Sequence, residues 1–305
     1  MHTFPISCLT LLLISAVLRP SSATIPRKLA LVQTPPTVLN YHKGSLLTGN
    51  ITVNLLWYGH FSPSQKTIIT DFINSLSTTA ALPPPPSAAS WWQTTRSYKP
   101  GSRTIRLGKQ TSDEKYSLGK SLKDSHLVYL ASKNKGFNEI SLVLTSADVG
   151  VVGFCMNRCG THGSTRLNKG RNFAYGWVGN SVSQCPDQCA WPFVQPVFGP
   201  KIPPLSPPNG DVGVDGMVIN IATVLAGTVT NPFKGGYFQG PDTAPMEAVT
   251  ACTGMFGSGA FPGYPGKVLV DKKTKVSYNA LGVKGRKYLL PAMWDPVTST
   301  CKTLV

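Results

Sequence analysis

The sequence predicts an α+β fold: a single globular domain stapled by disulfides. Three observations lead there. Helix-like and strand-like segments are both present and do not alternate regularly. Six of the seven cysteines remain once a secretory leader is set aside, an even number that predicts three bridges in an oxidising compartment. At 305 residues the chain can bury a full core, so bridges would supplement that core rather than replace it.

The leader occupies residues 1–23. Leu9 to Val17 is an apolar run, and Ser21-Ser-Ala23 places small residues where cleavage after Ala23 is expected, although Lys and Arg are missing ahead of the run. The run falls short of the roughly 20 helical residues that cross a bilayer. A secreted protein with no membrane span is expected, and Cys8 leaves with the leader.

Residues 24–48 are polar, basic and proline-containing, and read as an extended arm ahead of a domain at 49–305. Ile51 to Trp57 has the composition of a strand, and Asn50-Ile-Thr52 is an N-glycosylation sequon. Ser62-Pro-Ser-Gln65 is a capping box with Pro at the first helical position. It launches a helix through about Leu76, with Ile68, Ile69, Phe72, Ile73 and Leu76 on one stripe. Pro83 to Pro86 make a stiff spacer, and Ala88 to Tyr98, with Trp91 and Trp92, reads as a packed helix beyond it. Arg103 to Gly108 suggests a strand, Ser121-Leu-Lys-Asp124 a helix start ending near Ser132, and Ile140 to Thr145 and Phe173 to Val178 two buried strands. Five prolines over 200–210 mark a surface loop, and Asp215 to Thr230 is an apolar helix carrying Met217, Ile221, Val224, Leu225 and Val229. Past Asn231-Pro232 the chain turns to Gly and aromatic loop chemistry, with a hairpin expected between Val268–Asp271 and Val276–Asn279.

Charge restricts the partners. There are 29 Lys and Arg against 13 Asp and Glu, a net of +16; losing Arg19 with the leader lowers it to +15. Such a balance favours polyanions. The basic residues are dispersed and no RNA-reading aromatic motif is present, so an acidic extracellular polysaccharide fits better than nucleic acid. The bland alternative is a pI that keeps the protein soluble in an acidic fluid.

The cysteines fall into two Cys-x-x-x-Cys pairs, Cys155/Cys159 and Cys185/Cys189, followed by Cys252 and Cys301. Zinc ligation is conceivable, but secretion favours oxidation. Six cysteines allow fifteen connectivities; the preferred one links the two pairs to each other and joins Cys252 to Cys301. No metal or other cofactor is expected. Of His42, His60, His126 and His162, only His162 stands beside cysteines and glycines, which makes it a weak site candidate against a structural role. Asp211 and Asp215 are the other weak candidates, weighed against turn and N-cap duty. No Gly-x-Ser-x-Gly elbow is present, and Gly119-Lys-Ser121 lacks the earlier glycine a phosphate loop needs.

Several longer motifs carry a resemblance. Leu46-Leu-Thr-Gly-Asn-Ile-Thr-Val-Asn-Leu-Leu-Trp-Tyr-Gly59, Gly153-Phe-Cys-Met-Asn-Arg-Cys-Gly-Thr-His-Gly163, Gln184-Cys-Pro-Asp-Gln-Cys-Ala-Trp-Pro192, Asn209 to Pro232 and Pro291-Ala-Met-Trp-Asp-Pro296 resemble the EXORDIUM / phosphate-induced protein family of plants. The resemblance covers essentially the whole mature chain. It implies a protein of the apoplast and cell wall that promotes cell expansion downstream of brassinosteroid and nutrient signals, with no established catalytic residues to carry over. Binding of an acidic wall polysaccharide or an extracellular receptor is the leading expectation. A wall-active hydrolase, peptidase or glycan-modifying, is the alternative.

Residues 217–232 are also similar to the active helix of some zincin-like peptidases, which read His-Glu-Leu-Ala-Glu-x-x-Thr-Asp-Pro. Aligned on the closing Thr-x-Pro, Thr223 and Gly227 stand at metal-ligand positions and Val224 at the catalytic Glu. None can serve, since zinc needs imidazole or carboxylate donors and hydrolysis needs a base. The expectation is a degenerate zincin-like scaffold whose helix is buried among apolar neighbours, with no His and carboxylates converging opposite.

Overall fold

In a computed structural model describing residues 37–77, 84–134, 136, 138–156, 158–166, 172–199 and 201–305, the apolar run after Asn50 forms an interior strand of a five-stranded sheet. The leader, arm residues 24–36, Pro83 and Pro200 fall outside the described residues. The sheet is built from β1 (Gly49–Tyr58), β2 (Ser102–Asp113), β3 (Glu139–Thr145), β4 (Gly160–Arg166) and β5 (Asn172–Gly179). Its order is β2-β1-β3-β5-β4, with every neighbouring pair parallel except β5 and β4, so that β4 is an antiparallel edge.

Alternation along β1 explains why its run is almost continuously apolar. Ile51, Val53, Leu55 and Trp57 enter one core, while Leu56 and Tyr58 enter another on the opposite face. The first core is covered by α1 (Pro63–Ser75), α2 (Ala88–Gln93) and α4 (Val212–Thr230), the second by α3 (Asp124–Ser132) and the cysteine-bearing loops. The capping box of α1 is formed in both directions, Gln65 N donating to Ser62 Oγ at 3.2 Å and Ser62 N to Gln65 Oε1 at 3.0 Å. Ile69, Phe72 and Ile73 are fully buried on its inner face, each stabilising the fold by about 1.5–3 kcal/mol.

Helices and strands are thus mixed, as expected, but they are arranged in layers: a mainly parallel sheet with helices on both faces. The crossovers run through α1–α2 and α3, and the irregular stretches between elements hide the alternation in the sequence. Several boundaries move. The helix from Ala88 gives way to a tighter 3-10 turn over Thr94–Ser97, and the strand expected at 103–108 extends over 102–113. The third helix starts at Asp124 because Ser121–Leu122 pairs with Gly150–Val151 instead. Within the described part of the arm, Asn40–Tyr41 pairs with Tyr237–Phe238. The hairpin pairs Leu269–Val270 with Ser277–Tyr278. Asn50 is exposed on β1, its Oδ1 accepting from Thr104 Oγ1 at 2.6 Å.

Three disulfides close the domain. Cys155 joins Cys185 and Cys159 joins Cys189, so the two Cys-x-x-x-Cys segments are stapled twice to each other; Cys252 joins Cys301.

Candidate functional site

The site is built on α4. Its start is fixed by acids: Val214 N donates to Asp211 Oδ1 at 2.9 Å, the N-cap bond. Asp215 is buried and accepts from the backbone N of Asn209 at 2.8 Å and from Asn209 Nδ2 at 2.6 Å. Burial pushes its carboxyl up to about 6, against the lowering effect of those bonds. Asp211 also accepts from Gln65 Nε2 at 2.9 Å, tying α4 to α1. Both acids therefore hold the helix start, and neither lines the cavity that His162 lines.

Further along, α4 is apolar and buried apart from one narrow face. Asn220, Thr223, Gly227 and Asn231 follow one another at steps of three or four residues, the spacing of a single helical face. Asn220 Nδ2 donates to the carbonyls of Cys189 and Gly216, and Thr223 Oγ1 to that of Ile219. Asn220, Thr223 and Asn231 line the floor of a groove, and Gly227 lies buried between them. Strand β4 is one wall, and residues 242–254 form the other.

The groove holds a nearly buried charged group. His162 Nε2 on β4 lies 2.7 Å from Glu247 Oε2, with side-chain exposures of 15% and 9%. Glu247 Oε1 accepts from Asn231 Nδ2 at 2.7 Å, and Asn231 Oδ1 accepts in turn from Gly236 N at 2.8 Å. Both carboxylate oxygens are therefore satisfied, which is what makes a charge tolerable at this depth. Gly227 makes room for the pair: a Cβ there would lie 2.7 Å from His162 Nε2 and 2.8 Å from Glu247 Oε2.

Around this group is a cavity of about 330 Å³ with Asn231, Lys234, Asp242, Thr161 and Thr243 on its walls. A second cavity of about 300 Å³ adjoins it and is lined by Trp191, Phe256, Ile219 and Val249. Gly160, Thr223, Val224 and Thr250 border both, so the two form one groove, polar at one end and aromatic at the other.

The helix expectation is corrected here. Val224 and Gly227 are buried, but an imidazole and a carboxylate do converge on Gly227 and share a cavity with Thr223. Glu247 escaped the sequence reading because it lies in a Gly- and aromatic-rich stretch with no periodic signal. Strand β4 escaped because Gly-Thr-His-Gly-Ser-Thr lacks apolar alternation. No group of three His, Cys, Asp or Glu placed to hold a metal occurs among the described residues, and nothing in the structure supports a zincin-like scaffold as such.

Chemically, the arrangement holds groups in place. His162 Nδ1 is buried and bonds to no described residue. Three hydroxyls of the groove are engaged with backbone, Thr161 donating to the His162 carbonyl, Thr223 to that of Ile219, and Thr250 accepting from Glu247 N at 2.7 Å, so none of them is paired with a base as a nucleophile would be.

Comparison with known proteins adds a family. The sequence profile described as "Phosphate-induced protein 1 conserved region" matches residues 39–304. The chain is 62% identical over 282 residues to Protein EXORDIUM-like 2 of Arabidopsis thaliana, covering 90% of this chain and 92% of that one. It is 57% identical over 290 residues to Protein PHOSPHATE-INDUCED 1 of Nicotiana tabacum, covering 92% and 93%. With Protein EXORDIUM of Arabidopsis thaliana the identity is 56% over 281 residues, covering 88% and 90%. No solved structure matches the chain.

Proposed function

This chain belongs to the phosphate-induced protein 1 (EXORDIUM) family, and from that premise we propose that it is a secreted plant cell-wall protein that promotes cell expansion by binding rather than by catalysis. Growth control linked to brassinosteroid and nutrient status is part of this reading. The leader ending at Ala23 and the three disulfides support export. The exposed Asn50 is the proposed N-glycan attachment site. The net positive charge suits an acidic wall polysaccharide or an acidic receptor surface.

One observation carries the binding reading: Glu247 has both oxygens bonded, to His162 and Asn231, at the base of an open groove. The group shapes a surface, its carboxylate held in place by a hydrogen bond at each oxygen. Glu247→Gln tests this, since it keeps the shape and removes the acid. Expressed with its leader in plant tissue, the variant is expected to accumulate in apoplastic fluid and to promote growth within about twofold of wild type. A loss on the scale of general acid–base catalysis, about 10²–10⁴, would favour the alternative.

That alternative, a wall-active peptidase or glycan-modifying hydrolase, has one observation in its favour. Asp242 and Glu247 line the same cavity as His162, over the helix face carrying Thr223. Release of product from wall polymers by purified protein, abolished in Glu247→Gln, would establish it.

A further inference from the structure

We propose that the groove over α4 receives an extended peptide segment of a partner protein, which adds as a further strand to the free edge of β4. This rests on the binding reading and specifies what the His162–Glu247 groove binds.

The edge is the first observation. Among the described residues, β4 has β5 on one side and no strand on the other. Gly179 N donates to the Cys159 carbonyl, which sets the phase of the ladder. With Gly160 opposite Val178 and an unbroken register to Arg166 opposite Asn172, the amides and carbonyls of Gly160, His162 and Ser164 then point away from β5. The residues from Gly160 to Thr165 are partly exposed. They contain none of the usual protections of a sheet edge: no proline, no bulge and no lysine.

The second observation is that this edge runs along the wall of the groove. Cys159 and Gly160 border the aromatic cavity, and Gly160 to Gly163 border the polar one. At about 3.3 Å of rise per residue, the two cavities are offset by about two residues along the strand. An extended peptide paired to β4 sends alternate side chains to one face, so residues i and i+2 reach the two cavities in turn. Chemistry assigns the side chains. Trp191, Phe256 and Ile219 take an apolar one; Glu247, Asp242 and Thr243 take one bearing a hydrogen-bond donor.

A random dodecapeptide display library panned on the mature protein tests this. Enriched sequences should share an apolar residue two positions from a hydroxyl, amide or amine residue. Methylating alternate backbone amides of a selected peptide should weaken binding at least tenfold, and methylating the intervening ones less than twofold. Thr223→Trp, which fills the groove, and Ser164→Pro, which removes an outward amide, should each abolish binding while circular dichroism stays native. Failure to enrich peptides, or binding indifferent to which amides are methylated, overturns the proposal. So does capture of oligogalacturonides or xyloglucan oligosaccharides by wild type but not by Thr223→Trp, which would make the groove a glycan site. Bulk pectin binding equal in wild type and both variants would leave the wider binding reading standing even if the peptide proposal fell.

Discussion

Adding one methyl group at position 227 would place carbon 2.7 Å from His162 Nε2 and 2.8 Å from Glu247 Oε2. Gly227→Ala gains up to about 1 kcal/mol of helix propensity, yet it must push apart a nearly buried pair whose carboxylate is bonded at both oxygens. A net loss of about 1–3 kcal/mol is expected from chemical denaturation; a gain would show that the pair yields freely. Asp215 gives a second test. Its folded carboxyl titrates near 6 against a usual 3.8, so the folded state keeps a proton that the unfolded chain has released. Stability is therefore undiminished below pH about 3.8. It falls as pH rises through that window, by up to about 3 kcal/mol above pH 6. Asp215→Asn should gain on wild type steadily from about pH 4 to 7 in denaturant titrations; a pH-independent difference would deny the shift. The cap at Asp211 could be read from its place before an apolar run. The partner of His162 could not, because Glu247 is 85 residues away and no local pattern encodes a long-range ion pair.

The elements differ in how openly the sequence declares them. β1, β3 and β5 carry apolar runs because both sheet faces are covered, and α1 carries a capping box and a stripe. β4 carries neither. It is specified by fit, since a Cβ at Gly160 would lie 2.8 Å from the Trp177 carbonyl oxygen and 3.0 Å from Val224. The bridges offer a prediction at this scale. Cys155–Cys185 and Cys159–Cys189 span the same two segments four residues apart, each closing a separation of 30. Once one is formed, the second closes a loop of only about ten residues and removes somewhat less chain entropy than the first. Removing either alone by paired Cys→Ala substitution should cost about 2–3 kcal/mol, and removing both about 5–6 kcal/mol. Cys252–Cys301 has no such backup, so its loss alone should show the full effect in melting experiments.

Across the whole molecule, the layered fold was legible as a mixture of helix and strand but not as a parallel sheet. Strand order is set by crossovers, and these leave no periodic trace in sequence. Charge was directly legible. With 29 basic against 13 acidic residues, binding to demethylesterified pectin should weaken steadily as salt rises, since exposed charges are screened within about 8 Å at physiological ionic strength. Retention on a pectin column that ignores salt would refute an electrostatic origin. The face of α4 that floors the groove has a further consequence, for biosynthesis. Val212–Thr230 is long and apolar enough to cross a membrane, with mean hydropathy 1.6, though 83% of its most apolar stretch is buried in the fold. On the proposed secretory route, a nascent chain threading a translocation channel offers that stretch to lipid before the fold exists to bury it. Asn220, Thr223 and Gly227 interrupt the stretch near its middle, and Asp215 adds a carboxylate in its first turn, each of which lowers its preference for lipid. The small and polar residues that shape the groove in the finished protein thus also help keep the unfinished one from lodging in the bilayer.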